Sequence, residues 1–446
     1  MTVSPTPAMS PFRSHQALSR GSPRFTKGLR RGIVFFPLLL LFFLDIRIVP
    51  AFGEIDGRSL IVTRCGKCHG ITLEGQCLSG ECEGGRSHPI TRRPWDLVIP
   101  WMRAMGCEMT DTEQKKLTEH LMLHYGISYS IRWERTGNVP GGWNVVALGA
   151  FRHRLFAGIE GNGSIFEFGE DSTWKPALTT SNYTVYGLIP FQNRLYGVTN
   201  DPAAEIWSSA DGKRWHLSAR LPEEKGATSL GVYKGVLYAG TTRASLYRSS
   251  NGTSWTRVSD LIPNAGADFT HWVRFILPFD GALYAGIEKG GLYRSEDGMT
   301  WKRLWPSGGD RPQEKYFQGV RGAAFFNRAL YVGTTGGGEI FKFELAGGAP
   351  TRVFSADPKT TRGYIGSMAV LNKFLYAAVG GVIFRTGDGD RWKEVGQLGP
   401  FTIEAMTVFD KHLYAGTTLP PNAWIYRTTG NDSKTDFDLP AGGSKK

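Results

Sequence analysis

Five consecutive residues, Cys65-Gly66-Lys67-Cys68-His69, set two thiols one helical turn apart and place an imidazole directly after the second. Two such thiols can add to the two vinyl groups of one porphyrin, and the adjoining histidine can ligate its iron from below, so the pattern is the attachment signature of c-type haem. A redox dithiol would sit in a βαβ unit and half a zinc site would need two further spaced ligands; neither context is visible. Covalent haem attachment takes place outside the cytoplasm, so the motif requires an export signal.

Residues 1–53 have that layout. Arg20, Arg24, Lys27, Arg30 and Arg31 form a basic region, and Gly32–Leu44 is an apolar run of thirteen. Asp45 and Arg47 end the run, and Ala51-Phe52-Gly53 offers small residues for cleavage. The core is short for a membrane span, so a signal peptide is expected, with an uncleaved anchor as the alternative. The protein is then periplasmic or otherwise exported, tethered to a membrane only if this segment remains.

Charge narrows the partner class. Seven Lys/Arg and one acid fall within residues 1–53, so half of the net +12 belongs to the leader. Residues 54–130 carry nine Lys/Arg against ten Asp/Glu, and 131–446 carries +7. A mildly acidic segment beside a basic one suits electrostatic attraction between protein modules. No Lys/Arg cluster with interleaved aromatics appears in the mature part, so a nucleic-acid partner is rejected.

The elements around the motif come next. Asp56–Cys65 can form a helix leading into the haem-binding residues. Thr110-Asp111-Thr112-Glu113 is a capping box, and Gln114–Tyr125 continues as a helix with Leu117, Leu121 and His124 on one face and Gly126 as its stop. Met102, Met105 and Met109 are candidate thioether ligands for the sixth iron position, and spacing does not choose among them. His88 is a further candidate, and an open sixth site would suit ligand sensing. All five cysteines lie within 65–107. Cys77, Cys82 and Cys107 allow three pairings, each leaving one thiol over, and in an oxidising compartment one disulfide is expected. A zinc site from these and His88 is disfavoured by irregular spacing.

Residues 54–130 resemble the monohaem class I cytochrome c domains of periplasmic dehydrogenases, including the cytochrome parts of quinohaemoprotein amine dehydrogenase and sulfite dehydrogenases. Trp95, Met102, Gly106, Thr110 and Glu113 occupy the places of that family's tryptophan, methionine-bearing helix, glycine and cap. Pro100 and the cysteine-containing loop after the haem motif depart from it. The resemblance implies a small all-α domain in which Cys65 and Cys68 hold haem covalently, His69 is the proximal ligand and Met102 the distal one, Met105 being second choice.

The rest of the chain repeats. RLFAG at Phe156, RLYGV at Tyr196, VLYAG at Tyr238, ALYAG at Tyr284, ALYVG at Tyr331, FLYAA at Tyr376 and HLYAG at Tyr414 follow one another at steps of 40, 42, 46, 47, 45 and 38 residues. Seven copies at that period, with short strands and Gly-rich turns, predict a seven-bladed β-propeller over 131–430. Hairpins such as Trp207–Trp215, Tyr247–Trp255, Tyr293–Trp301 and Phe384–Trp392 resemble the Asp-box turns of sialidase-like propellers, with Asp/Asn-Gly making the turn and the indole packing between blades. The last copy lacks a closing tryptophan strand, whereas Arg132-Trp133-Glu134-Arg135 precedes the first. Residues 131–136 are therefore expected to close the last blade, and 431–446 to form a flexible tail.

Tyr183, Tyr186, His271, Arg274, Arg321, Tyr364 and Glu404 stand near the starts of the inner strands, where they could converge on one mouth of the central channel. Arg274 and Arg321 could receive an anionic substrate or quinone carboxylates, but simple solvation of the channel is the favoured expectation. No metal-ligand histidine set, Ser-His-Asp set or sialidase arginine triad can be assigned. The expected function is single-electron transfer through haem c with the propeller docking a redox partner protein. The alternatives are an oxidoreductase whose propeller holds a substrate or quinone, and a haem sensor.

Overall fold

The computed structural model describes residues 60, 99–100, 102–103, 107–125, 129, 131–262, 270–306, 319–357, 363–399, 402–418 and 423–429. Among these, helix α1 (Asp111–Tyr125) precedes twenty-eight strands, β1 (Arg132–Val139) to β28 (Ala423–Thr429). No helix of the described residues is long and apolar enough to cross a membrane.

The start of α1 follows from local chemistry. Glu113 N donates to Thr110 Oγ1 at 3.2 Å, and Thr110 N donates to Glu113 Oε2 at 2.7 Å, so each residue satisfies a donor the helix leaves open. Leu117 and Leu121, four residues apart and so on one face, are buried.

The strands form seven four-stranded antiparallel blades arranged as a ring. Burial explains the sequence pattern of each blade. Innermost strands alternate, as in Asn144–Phe151, with one set of side chains toward the channel. Second strands carry the Leu-Tyr-Ala-Gly signature and are buried on both faces, so they read as continuous apolar runs; all six residues of Ala282–Ile287 are buried. Outer strands such as Thr256–Asp260 are polar and largely exposed.

Glycine in that signature sets the spacing between blades. A Cβ on Gly240 would lie 2.4 Å from Val273 of the next inner strand. On Gly416 in the seventh blade it would lie 2.4 Å from Val145 Cγ1 of the first. Only a bare Cα permits that approach.

The ring also closes by hydrogen bonding. Arg132–Val139 pairs antiparallel with Ala423–Thr429, so the seventh blade takes its outermost strand from the chain ahead of the first blade. Trp133 is buried in a core shared by the last two blades and donates from Nε1 to Val395 O at 3.4 Å. Pairing through both ends covers backbone groups that would otherwise form an open edge.

Candidate functional site at the mouth of the channel

Every innermost strand carries one register shift against its neighbour. The residues inside these shifts are Val146, Gly187, Thr228, Arg274, Arg321 with Gly322, Gly366 and Glu404. A bulge leaves its extra residue unpaired and re-aims the side chain. Three of these equivalent positions hold charged residues that point into the channel, which encloses about 410 Å³.

A second ring stands at the same end. Four residues after each signature aromatic come Glu160, Asn200, Thr242, Glu288, Thr335, Gly380 and Thr418. The two rings meet within the fourth blade and between it and the fifth. Arg274 Nε donates to Glu288 Oε2 at 2.6 Å, and Arg321 Nη1 stands 3.7 Å from Glu288 Oε1. Arg321 Nη2 donates to Glu404 Oε2 at 2.6 Å. Tyr364 OH and Thr402 Oγ1 both donate to Glu404 Oε1, the latter at 3.0 Å. The Arg321 guanidinium also covers the Tyr364 ring at 3.9 Å, and that of Arg274 covers Trp272 at 4.3 Å.

The four ionised side chains balance to zero and are 8–17% exposed. Burial pushes the Glu404 carboxyl up, but the Arg321 guanidinium and the hydrogen bonds from Tyr364 and Arg321 outweigh it, so the net direction is down. Burial, reinforced by the Glu404 charge, raises the Tyr364 phenol to about 12. Burial likewise raises Tyr186. At neutral pH Arg321 and Glu404 are therefore a charged pair beside the neutral phenols of Tyr364 and Tyr186.

Of the sequence candidates, Tyr186, Arg274, Arg321, Tyr364 and Glu404 come together. Tyr183 stands at the lip, edge-to-face with Trp143 at 6.1 Å. His271 bridges to Arg243 of the preceding blade. Glu288, Thr402 and Trp272 were missed, although the fixed offset of Glu288 from Tyr284 is readable once the repeats are aligned. An anion entering here would compete with Glu288 and Glu404 for both arginines, which argues against the anionic substrate considered from sequence.

Cys65, Cys68, His69, Met105, His88, Cys77 and Cys82 lie outside the described residues, as do the leader and the tail. Met102 is described: it belongs to a helical turn, is 9% exposed, and its carbonyl accepts from Cys107 N at 3.1 Å.

This architecture is that of a β-propeller, and solved propellers resemble it. Virginiamycin B lyase from Staphylococcus aureus, solved as an inactive variant with quinupristin, is 13% identical with a TM-score of 0.55, covering 68% of this chain and 100% of that one. The WD40 propeller domain of Doa1 is 11% identical with a TM-score of 0.52, covering 68% and 98%. The extracellular domain of a hybrid two-component system from B. thetaiotaomicron is 14% identical with a TM-score of 0.51; the match covers 66% of this chain and spans only 39% of that one. At such identities the likeness is one of fold alone. No family model and no curated protein matches the chain.

Proposed function

We propose that this chain is an exported c-type cytochrome that transfers single electrons, with its propeller as the platform on which a redox partner protein docks. The observation that carries the reading is the Cys65-Gly66-Lys67-Cys68-His69 motif downstream of a basic and apolar leader. Cys65 and Cys68 would hold the haem covalently, His69 would ligate iron, and Met102 would be the sixth ligand, with Met105 as second choice. When bound, haem supplies one-electron chemistry.

The described part of the helical segment fits such a group. Leu60, Ile99, Met102, Met109, Leu117 and Leu121 are each buried, as a segment that encloses an apolar group requires. Such surroundings exclude water and favour the less charged state of an enclosed redox centre. The polypeptide from this segment runs straight into the ring: Tyr129 OH bonds to Glu394 of the sixth blade, and β1 begins three residues later.

A second reading is that the propeller holds a substrate or quinone cofactor in its channel of about 410 Å³, with haem c as the internal electron acceptor; the paired arginines there disfavour an anionic one. Absorption spectroscopy of the purified exported chain separates the two. Covalent haem should survive denaturation and be lost in Cys65→Ala/Cys68→Ala. Reduction that needs an added partner protein supports the carrier. Reduction by a small molecule with the chain alone supports the oxidoreductase. Absence of covalent haem from the exported protein would overturn both.

A further inference from the structure

We propose that the mouth of the propeller channel is a binding site for a neutral, polyhydroxylated ligand of the saccharide class. This inference rests on the propeller alone and stands independently of the haem reading.

Charge excludes the simpler ligand classes. Arg274 and Arg321 are already paired with Glu288 and Glu404, so neither an anion nor a cation finds an uncompensated partner in that lattice. At the lip, Glu160 accepts a hydrogen bond from Asn144 Nδ2 at 2.7 Å and Lys289 donates to Thr270, one charge of each sign. Inside the channel, a charged ligand would have to break a buried ion pair, leaving a partner uncompensated.

The unused hydrogen-bonding capacity is neutral. Ser229 Oγ, Thr242 Oγ1 and Asn144 Oδ1 are buried without a hydrogen-bond partner. Ser229 lines the channel and is 4% exposed, and Thr242, at 2%, occupies the ring position equivalent to Glu288. A buried hydroxyl left unpaired is costly, so a wholly apolar ligand would leave that penalty in place. Ligand hydroxyls relieve it.

Aromatic surface supplies the complementary half. Trp143 is 50% exposed and Tyr183 39%, and they meet edge to face. The indole is seated on Gly161, where a Cβ would lie 3.1 Å from the ring, so backbone supports it from behind. In the inner strand that follows Tyr183, Tyr186 packs edge to face with Trp272 at 5.8 Å. A pyranose has apolar C–H faces and a hydroxyl rim, the pairing that exposed aromatic planes beside hydroxyl, amide and guanidinium groups can satisfy together. The channel cavity itself, lined by Tyr186, Ser229, Arg274, Arg321 and Glu404, is about 410 Å³, the size that small-molecule sites occupy.

The test is calorimetric titration, with tryptophan fluorescence, of the purified full chain against maltotriose, cellotriose, xylotriose, chitotriose and galactobiose, beside citrate and tetramethylammonium. At least one neutral sugar should bind and shift the emission, and the two ions should not. Trp143→Ala should weaken binding by about tenfold or more, the scale of one aromatic contact. Thr242→Val, which removes the hydroxyl and keeps the volume, should weaken it while leaving the thermal transition in place or raising it. Binding by none of the sugars, tighter binding of either ion, or sugar binding indifferent to both substitutions would overturn the proposal.

Discussion

The Tyr238 hydroxyl of the third blade lies against Gly298 in the outer hairpin of the fourth, so close that a Cβ on Gly298 would stand 2.0 Å from its oxygen. The same contact joins Tyr196 to Gly252 and Tyr331 to Gly389. These signature aromatics thus key into the Asp-box glycine of the following blade. The hairpin is held to receive it: Gly298 N donates to Ser295 Oγ at 2.8 Å, and Asp297 Oδ1 accepts from Met299 N and Thr300 N. These backbone donors hold the Asp297 carboxyl well below its ordinary range.

Gly298→Ala should therefore destabilise the ring through both a clash and a positive φ of 73°. The left-handed conformation contributes about 1–2 kcal/mol and the overpacking about 1–3. Gly281→Ala is the control, with φ +70° and nothing within 4 Å of the new methyl. Equal losses of Tm in the two variants would show that the tyrosine contact carries no energy.

Arg321→Leu leaves Glu404 buried without its main counter-charge and should cost about 3–5 kcal/mol in denaturant unfolding at neutral pH. The Arg321→Leu/Glu404→Leu double variant should recover most of that loss. Failure to recover would mean that packing, not charge, accounts for the single variant.

The Glu404 carboxyl is held below its ordinary value in the folded state, so its contribution to stability is present above about pH 4.3 and is lost as pH falls through the folded value. Glu404→Gln should flatten the acid limb of the stability profile. An unchanged acid limb would contradict the assignment.

Tyr364 titrates at about 12 in the folded protein, raised first by burial and then by Glu404. Its contribution is complete below about pH 10, where the unfolded phenol ionises, and is lost as pH rises toward 12. Tyr364→Phe should reduce the alkaline loss and remove one late-ionising phenol from an ultraviolet titration. A titration identical to the parent's would contradict this.

For the proposed haem site, Met102→Ala should abolish the thioether-to-iron charge-transfer band of the ferric protein, and Met105→Ala should retain it. The opposite result would transfer the distal role to Met105.

How much of this was legible beforehand differs by element. The repeat announces itself because each blade must bury one strand on both faces, which forces Leu-Tyr-Ala-Gly to recur at the blade period. Asp-box turns are legible because Asp297-Gly298 and Asp388-Gly389 have a local backbone reason to be there. The convergence of Arg274, Arg321, Tyr364 and Glu404 was readable as a possibility from their place near the inner strand starts. Their mutual neutralisation was not, because Glu288 directly follows a second strand, Ala282–Ile287, whose sequence reads as core.

Sequence by itself thus determined what depends on neighbours along the chain: the period, the turn chemistry, the capping box and the Cys65–His69 motif. Tertiary structure alone decided which charges meet. Arg321 and Glu404 are 83 residues apart and come within 2.6 Å because the blades close into a ring and bulges turn both side chains inward. Partner choice across a ring is set by that geometry, to which local propensity is blind, so the balanced and aromatic-lined mouth could be recognised only in the folded chain.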